Sequence, residues 1–327
     1  RYDLPELRIA DQANLVERLL DGAAARGWAD RPLLRSPQIT FTYAETRERV
    51  DRIANYLVHE LKLEPGNRVL LRGGNSIGMA LSWLAVVKAG LIAVATMPLL
   101  RATELSKVID KAQPVAAICD ARLLQELEQS QQAFPAVQHV LRFNSPDDPS
   151  DLGQLVAHQA ATFTACPTSA DDIALLAFTS GTTGAPKAVV HTHRDVLAAC
   201  EAWPRHVLRP TSDDIVTGSP PLAFTFGLGG LLLFPMWAGA SIYYPDANYN
   251  PETMVRQMRE QGVTTCYTSP TFYRQLAPHM KAIGVPSLRT CVSAGEALPD
   301  ATRQLWKDAT GIEMLDGIGA TEMFHIF

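Results

Sequence analysis

The sequence predicts an α/β fold made of two stacked subdomains, each a mainly parallel sheet flanked by helices. Three observations lead to this prediction. The chain has 327 residues, about twice the length of a usual single domain. Hydrophobic residues make up 47% and charged residues 19%, which is enough apolar side chain to bury a core. Helix-like and strand-like apolar patterns also alternate along the chain, as they do in proteins with parallel sheets.

In the first half, apolar residues recur with a period near 3.6 in five segments, which short β-branched or aliphatic runs separate. Thr42 followed by Glu45 forms a capping box and marks the start of the second of these helices. The predicted helices span residues 15–26, 43–61, 77–88, 102–111 and 121–131. The predicted strands span residues 68–71, 91–96, 115–119 and 137–141.

Two clusters of Pro, Ser and Asp, at residues 144–151 and 166–172, interrupt the alternation and predict a subdomain boundary. We therefore expect a first α/β subdomain at residues 1–165 and a second at residues 166–327 that carries the functional motifs. The alternation then resumes. The predicted strands span residues 173–179, 188–191, 214–217, 240–243, 264–268, 289–293 and 313–317. The predicted helices span residues 194–207, 251–261, 271–277 and 300–308.

Composition excludes several classes of partner. The 29 Lys and Arg against 34 Asp and Glu give a net charge of -5, which leaves no positive surplus for nucleic-acid phosphates. Five scattered cysteines without a CxxC pair argue against a disulfide framework and favour a reducing compartment. No apolar run reaches the ~18 residues that a membrane span needs, and residues 2–18, which are acidic and polar, do not predict a signal peptide. We expect a cytoplasmic protein without nucleic-acid or membrane partners, and a homodimer stays open.

Residues 174–193, ALLAFTSGTTGAPKAVVHTH, predict a phosphate-binding loop. A buried strand leads directly into a run of glycines and hydroxyl residues. Their backbone N–H groups and hydroxyls, together with one ammonium group, suit a polyphosphate. The loop differs from the common P-loop, because Ala185 and Pro186 precede the lysine and Ala188 offers no hydroxyl to magnesium. The candidate phosphate-binding residues are Thr179, Ser180, Gly181, Thr182, Thr183, Gly184 and Lys187.

The string TSGTTGAPK, at residues 179–187, resembles the phosphate-binding signature of the adenylate-forming superfamily of acyl- and aryl-CoA ligases, luciferases and peptide-synthetase adenylation domains. Segments 87–99, 293–299 and 316–322 resemble further family segments in the family's order. The resemblance covers nearly the whole chain and implies the N-terminal domain of that fold, incomplete at its C-terminus. It also implies ATP and coenzyme A as cosubstrates and Mg²⁺ as cofactor. The family's ribose-binding Asp, hinge and C-terminal lid domain would follow residue 327.

The segment DGIGATE, at residues 316–322, carries two candidate catalytic side chains besides Lys187. Glu322 offers the carboxylate that a hard cation bridging phosphates requires, and in the family the matching Glu holds Mg²⁺. The Thr that matches Thr321 contacts the α-phosphate. A Rossmann fingerprint is excluded, because Glu322 stands where that motif needs Gly or Ala. The resemblance places the adenine beside Gly295, Glu296, Ala297, Asp316, Gly317 and Ile318.

Residues 220–230, PPLAFTFGLGG, resemble the acyl-pocket region of the family. They contain no carboxylate, so the ammonium group of an amino-acid substrate would lose its counter-charge there. The closing DGIGATEMFHIF resembles the benzoate-CoA ligase group, and segments 3–8 and 19–32 resemble chains that activate 2-aminobenzoate. An ortho amino group would need an acceptor, which Thr225 or His325 could supply. The candidate acid-binding residues are Thr225, Phe226, Gly227, Ala294, Gly319, His325 and Ile326.

Together, motifs and resemblance imply an AMP-forming acid–thiol ligase of aromatic degradation. It would convert an aromatic carboxylate, of the benzoate or 2-aminobenzoate type, to an acyl adenylate and then to an aryl-CoA thioester. Two alternatives stay open: activation of another small or medium-chain acid, and a truncated, non-catalytic ligand-binding fragment. A kinase is disfavoured by the loop sequence. Zinc binding by His191 and His193 is disfavoured because no further ligand stands at metal spacing.

Overall fold

The computed structural model describes residues 4–133, 137–179, 186–245 and 250–327. Within these ranges the backbone forms an α/β fold of two mainly parallel sheets with helices, which confirms the predicted fold class. The strands are β1 Pro32–Arg35, β2 Thr40–Thr42, β3 Arg68–Arg72, β4 Ile92–Thr96, β5 Ala116–Asp120, β6 His139–Phe143, β7 Ile173–Thr179, β8 Lys187–Thr192, β9 Ile215–Gly218, β10 Ser241–Tyr243, β11 Thr265–Thr268, β12 Thr290–Ser293 and β13 Leu315–Asp316.

A helix begins within each of the nine predicted helical segments or at its edge, whereas the helices Leu152–Leu155, Thr225–Leu228 and Phe234–Ala238 were not predicted. The first predicted helix, 15–26, is shorter than expected, and 3₁₀ or π turns lie at the ends of several helices. The α-helices are α1 Leu15–Leu19, α2 Tyr43–Asn55, α3 Ile77–Lys88, α4 Ala102–Ala112, α5 Leu124–Ala133, α6 Leu152–Leu155, α7 His193–Trp203, α8 Thr225–Leu228, α9 Phe234–Ala238, α10 Pro251–Glu260, α11 Pro270–Ile283 and α12 Asp300–Thr310. The 3₁₀ turns are Pro5–Leu7, Asp21–Ala23, Ala121–Leu123 and Thr321–Met323, and the π turns are Tyr56–Glu60, Pro204–Leu208 and Gly229–Leu233.

The chain divides into two compact units at positions that differ from the predicted boundary. The first unit is Arg1–Gly27 with Ala44–Ala198, and the second unit is Trp28–Tyr43 with Ala199–Phe327. Residues 166–198 join the first unit because β7 pairs with β4 and β8 pairs with β7. Residues 28–43 join the second unit because β1 pairs with β10. The strands that flank the phosphate-binding loop therefore belong to the first unit, whereas the sequence placed them in the second.

The first unit is built on a sheet of order β6-β5-β3-β4-β7-β8, parallel except for β8. Strand β5 is buried along its whole length, as expected for a parallel strand covered on both faces. Apolar side chains of α4 and α5 pack on the sheet in one cluster with those of β3, β4 and β5. The buried members of this cluster are Leu70, Val94, Leu105, Val108, Ile109, Ala112, Ala117, Cys119, Leu127 and Val137.

Helix α3 is the most deeply buried helix segment of the first unit, since every residue from 79 to 88 except Leu81 is buried. A helix that is apolar on all sides is expected to be enclosed. Its last residue, Lys88, is nevertheless charged and has a side chain that is only 1% exposed. The ammonium group donates to Asp21 Oδ1 at 2.7 Å and to Asp51 Oδ1 at 2.5 Å. These two carboxylates balance the buried charge.

The second unit is built on a sheet of order β13-β12-β11-β9-β10-β1-β2, parallel except for β2. Helices α10, α11 and α12 share an apolar cluster with β11 and β12, in which the rings of Tyr273 and Trp306 meet edge to face at 4.6 Å. Strands β1 and β2 were not predicted, because four and three residues are too few to show an alternating pattern. Helix α11 is longer than predicted and continues past Pro278.

Residues 225–238 form a continuous helical segment that the sequence analysis did not predict as helix. It consists of α8, the π turn Gly229–Leu233 and α9. The segment is glycine-rich and apolar throughout, so no 3.6-residue period marks it. It ends at Gly239, whose φ of +77° favours glycine. None of the helices in the described part of the chain is long and apolar enough to cross a bilayer.

His193, at the start of α7, gives the first unit a pH-dependent stability. Its side chain is buried, and its Nδ1 accepts the backbone N–H of Leu15 at 3.1 Å. Burial lowers the pKa of His193 to about 4, against 6.5 for a free histidine. The unfolded chain therefore binds a proton between these two pH values that the folded chain does not bind. The free energy of unfolding must fall as the pH drops from 6.5 to 4, by at most about 3 kcal/mol for this group.

We expect His193→Asn to make the unfolding free energy less sensitive to pH below 6.5. The Asn side-chain oxygen can take the place of Nδ1 as the acceptor for Leu15, but it does not titrate in this range. Urea unfolding at pH 7 and pH 4.5 measures the change for both proteins. If the unfolding free energy falls by the same amount between pH 7 and pH 4.5 in the variant and in the wild type, this account is wrong.

Candidate active site

A cavity of about 210 Å³ lies in the second unit. It is lined by residues that follow β9, β12 and β13, three parallel strands whose carboxyl ends meet at one edge of the sheet. This edge is where open α/β sheets bind their ligands. The lining residues are Pro220, Phe224, Thr225, Phe226, Ala294, Gly295, Gly319, Ala320, Thr321, His325 and Ile326.

The cavity brings together six of the seven predicted acid-binding residues. These are Thr225, Phe226, Ala294, Gly319, His325 and Ile326. The seventh, Gly227, does not line the cavity. A Cβ atom there would lie 2.1 Å from the carbonyl oxygen of Pro221, so close backbone packing explains the glycine. Whether these residues bind an acid stays a prediction.

Five lining residues were not among the predicted acid-binding residues. Pro220 and Phe224 belong to the same PPLAFTFGLGG segment, and Ala320 belongs to the DGIGATE segment. The two motifs could therefore have indicated these three residues as well. Gly295 and Thr321 were predicted to contact the nucleotide, and they border this cavity as well. Residues predicted to contact the nucleotide and residues predicted to bind the acid thus line the same cavity.

None of the described residues that line the cavity is an Asp, Glu, Lys or Arg. Its one titratable side chain, His325, is 3% exposed, and burial lowers its pKa to about 3. The imidazole is therefore neutral at physiological pH. Its Nε2 lies 3.2 Å from the backbone oxygen of Phe226, which can only accept, so Nε2 carries the proton. The cavity is uncharged.

Residues 317–327 fold back on themselves and place His325 and Ile326 at the cavity. Gly319 bridges Ile326 in antiparallel fashion, and the N–H of Phe327 donates to the carbonyl of Ile318 at 3.3 Å. A Cβ atom on Gly317 would lie 2.5 Å from the Ile326 side chain. Only glycine therefore lets the two arms of the turn approach as closely as they do.

The imidazole of His325 is fixed by its aromatic neighbours. Its centroid lies 5.3 Å from that of Phe226 and 4.6 Å from that of Phe234. The backbone of Gly229, in the π turn, packs against its Cδ2 atom, where a Cβ atom would lie 2.8 Å away. The unpredicted helical segment 225–238 thus positions this ring, and π turns within helices are frequent at functional sites.

The residues predicted beside the adenine lie at the end of β13 and in the loops that follow β12 and β13. Gly295 has a φ of +89°, which favours glycine, and Glu296 accepts a hydrogen bond from the Thr271 hydroxyl at 2.6 Å. Asp316 lies 3.6 Å from Arg303, and the Ile318 side chain is 74% exposed. The remaining predicted residues of this group are Ala297, which is exposed, and Gly317, which is half-buried. Their roles toward a nucleotide stay predictions.

The phosphate-binding loop is described at its two ends. Thr179 is the last residue of β7 and pairs with Lys187, the first residue of β8, which is exposed. The two strands form an antiparallel pair, so both ends of the loop are anchored in the sheet of the first unit. Ser180, Gly181, Thr182, Thr183 and Gly184 lie outside the described residues.

Glu322 fits a magnesium ion that binds together with nucleotide phosphates. Its side chain is exposed on the 3₁₀ turn Thr321–Met323, directly after the cavity residue Thr321. Among the described residues, no three His, Cys, Asp or Glu side chains form a cage for a metal. Mg²⁺ typically takes one or two protein carboxylates, with waters and substrate phosphates completing its shell. A single exposed carboxylate matches that donor set.

The second unit thus has a motif-lined cavity at the carboxyl edge of a mainly parallel sheet, the edge at which open α/β sheets bind their ligands. Residues 22–327 match the AMP-binding enzyme family, and the chain belongs to that family. This finding confirms the resemblance detected in the sequence.

The most similar proteins include aryl-CoA ligases. Benzoate–CoA ligase of Thauera aromatica is 30% identical over 325 residues, which are 99% of this chain and 62% of that protein. Anthranilate–CoA ligase of Pseudomonas aeruginosa is 31% identical over 81% of this chain and 50% of that protein. The crystal structure of the anthranilate CoA ligase AuaEII in complex with anthranoyl-AMP superimposes with a TM-score of 0.91 and 29% identity, over 99% of this chain and 62% of the other. The chain thus spans half to three fifths of the length of these relatives.

Proposed function

We propose that this chain carries the acid-binding part of an AMP-forming aryl-CoA ligase. Such an enzyme joins an aromatic carboxylate to the α-phosphate of ATP, which gives an acyl adenylate and pyrophosphate. The thiol of coenzyme A then attacks the acyl group and displaces AMP. The observation that carries the proposal is the uncharged cavity, whose wall includes Thr321 of the family motif. Its volume of about 210 Å³ is somewhat larger than a cavity of about 150 Å³ that holds benzene. A single ring with a carboxylate is therefore a ligand of the right size.

The names of the relatives support the same substrate class. The proteins of Thauera aromatica and Pseudomonas aeruginosa act on benzoate and anthranilate, as their names state. The cavity of this chain offers aromatic, aliphatic and hydroxyl groups to a ring. An amino acid is a poor candidate, because its ammonium group would enter the site without a carboxylate partner.

The chemical difficulty of the first half-reaction is the approach of a carboxylate to an anionic α-phosphate. We assign Thr179, the loop 180–184 and Lys187 to the neutralisation of the phosphates, and Thr321 to a hydrogen bond with the α-phosphate. Mg²⁺, when bound, supplies further neutralisation of phosphate oxygens, and Glu322 would hold it. The apolar wall of the cavity keeps water from the activated acyl group.

We further propose a cytoplasmic location and a role in the degradation of aromatic acids, without nucleic-acid partners. The five cysteines are scattered along the sequence without a CxxC pair, which suits a reducing compartment. The net charge of -5 is unfavourable for binding to nucleic-acid phosphates.

Carboxylate-dependent exchange of pyrophosphate into ATP, measured on the complete protein, tests the proposed function. We expect exchange with benzoate, 2-aminobenzoate or a hydroxybenzoate, and much weaker exchange with medium-chain fatty acids. A preference for fatty acids would move the assignment to another acyl-CoA synthetase. Binding of aromatic acids without exchange would indicate a non-catalytic ligand-binding protein, and release of ADP would indicate a kinase.

A further inference from the structure

A cavity of about 300 Å³ lies within the first unit, and none of its lining residues is among the candidate site residues. Lys88, the last residue of α3, precedes the start of β4 closely, so the cavity lies beside the amino end of that strand. The phosphate-binding loop instead follows the carboxyl end of β7, which runs parallel to β4. The lining residues are Asp21, Arg47, Asp51, Lys88, Thr162, Phe163 and Thr164.

The wall that residues 162–164 form is held in place by side chains of α2. Asn55 Nδ2 donates to the backbone oxygen of Thr162 at 3.0 Å. The Asp51 carboxylate accepts the backbone N–H of Phe163. Phe163 is half-buried and offers an apolar surface, whereas the two threonines of the wall are exposed and offer hydroxyl groups. The cavity is therefore preformed.

The four charged side chains of the lining do not all pair with one another. The Lys88 ammonium group donates to Asp21 Oδ1 and to Asp51 Oδ1, which leaves this cluster with one net negative charge. The other oxygen of Asp21, Oδ2, accepts no hydrogen bond from a described residue, and the side chain is 24% exposed.

The fourth charge is the guanidinium group of Arg47, which is half-buried. It makes neither a hydrogen bond nor an ion pair within the ranges that the structure describes. A carboxylate oxygen and a guanidinium group thus line one cavity without an ion pair between them. Both are available to a ligand that carries the two complementary charges.

We propose that this cavity binds a small amino acid in its zwitterionic form. The ammonium group of the ligand would lie against Asp21 Oδ2, and its carboxylate would lie against Arg47. Hydrogen bonds between charged groups are the strong ones, and guanidinium can hold a carboxylate through two of them. A simple anion would add a negative charge beside Asp21 and Asp51, and a simple cation would add a positive charge beside Arg47 and Lys88. A zwitterion keeps the cavity neutral.

The size of the cavity agrees with this ligand class. A cavity of about 150 Å³ holds the six carbons of benzene, so about 300 Å³ suits a ligand of up to about ten non-hydrogen atoms. Glycine, β-alanine and 4-aminobutyrate fall within this limit. The cavity of the second unit has no charged side chain to pair with an ammonium group, so the two cavities suit different ligands.

The first experiment measures by calorimetry whether both charges of the ligand are required. The complete protein is titrated with glycine, β-alanine and 4-aminobutyrate, whose charges are increasingly far apart. Each is compared with the carboxylate that lacks the ammonium group (acetate, propionate or butyrate) and with its own primary amide, which lacks the carboxylate. We expect at least one amino acid to bind at least about tenfold more tightly than both of its analogues. Binding of none of the three, or equal binding of an amino acid and its carboxylate analogue, would overturn the proposal.

Two variants identify the residue that reads each charge. Arg47→Gln should weaken binding of the amino acid by at least about tenfold and make it equal to that of the amide. Asp21→Asn should weaken it similarly and make it equal to that of the carboxylate analogue, while Lys88 keeps its bond to Asp51. A structural role of either residue would instead weaken all ligands by the same factor and contradict the proposal.

Arg8→Gln and Asp110→Asn, at exposed positions of the first unit, are the matched controls and should keep the wild-type affinities. If a variant does not fold, the comparison of ligands in the wild type still decides the question. Saturating benzoate should leave the affinity for the amino acid unchanged, and competition between them would place the amino acid in the other cavity and reject the proposal. Absence of pyrophosphate exchange with every aromatic acid would reject the proposed function but not this binding site.

Discussion

Glu322→Gln in the complete protein is expected to slow carboxylate-dependent pyrophosphate exchange by about a hundredfold or more, because removing one group that stabilises developing charge costs about that much. Glutamine keeps the size of the side chain but loses the negative charge that a magnesium ion on the phosphates requires. The position of Glu322 directly after Thr321, at the cavity wall, is consistent with such a role. The rate should recover in part as the Mg²⁺ concentration is raised.

The fold should tolerate this substitution, since the Glu322 side chain is exposed. We expect the free energy of unfolding to change by less than about 0.5 kcal/mol. Glu260→Gln, at an exposed carboxylate on α10, is the matched control and should leave exchange unchanged. Lys187→Ala, at the exposed start of β8, should slow exchange as well, because the ammonium group is assigned to the phosphates. Wild-type exchange rates in both Glu322→Gln and Lys187→Ala would remove the assignment of the catalytic residues.

The elements that the sequence predicted best are those with a strong local signal. Helix α3 and strand β7 have the predicted bounds, because a long apolar helix and a seven-residue strand leave little ambiguity. Strand β6 begins two residues later than predicted, at His139, which is within the usual uncertainty of element ends. The pairing of β1 with β10 depends on residues about 200 positions apart, so no local pattern could place residues 28–43 in the second unit.

The sequence could indicate residues of the cavity. The protonation state and hydrogen bonding of those residues depend on how the fold buries them. Six of the residues that the motifs grouped line one cavity, because loops after parallel strands converge at one sheet edge. The neutral state of His325 depends instead on burial by Phe226 and Phe234. Phe234 lies in the helical segment without a 3.6-residue period, so no local pattern indicated that Phe234 covers this ring.

Lys88→Met is expected to destabilise the first unit by about 3 to 5 kcal/mol, the usual cost of breaking a buried ion pair from one side. The substitution leaves the carboxylate of Asp51, which is 4% exposed, without a counter-charge, while Asp21 at 24% exposed can be solvated. Lys107→Met, at an exposed lysine on α4, is the matched control and should change the unfolding free energy by less than about 0.5 kcal/mol. Urea unfolding at pH 7 measures all variants.

The pH dependence and a second substitution separate the loss of charge pairing from a simple packing defect. Burial already raises the pKa of Asp51 against the opposing effect of Lys88, so removal of the ammonium group should raise it further. A carboxyl group with a raised folded-state pKa binds its proton more tightly when folded, so the deficit relative to wild type should shrink as the pH falls. Lys88→Met combined with Asp51→Asn should recover much of the stability, because neither a buried charge nor its partner is then present. If the double variant is as unstable as Lys88→Met alone, and its deficit does not depend on pH, the lysine stabilises the helix end through packing of its alkyl chain.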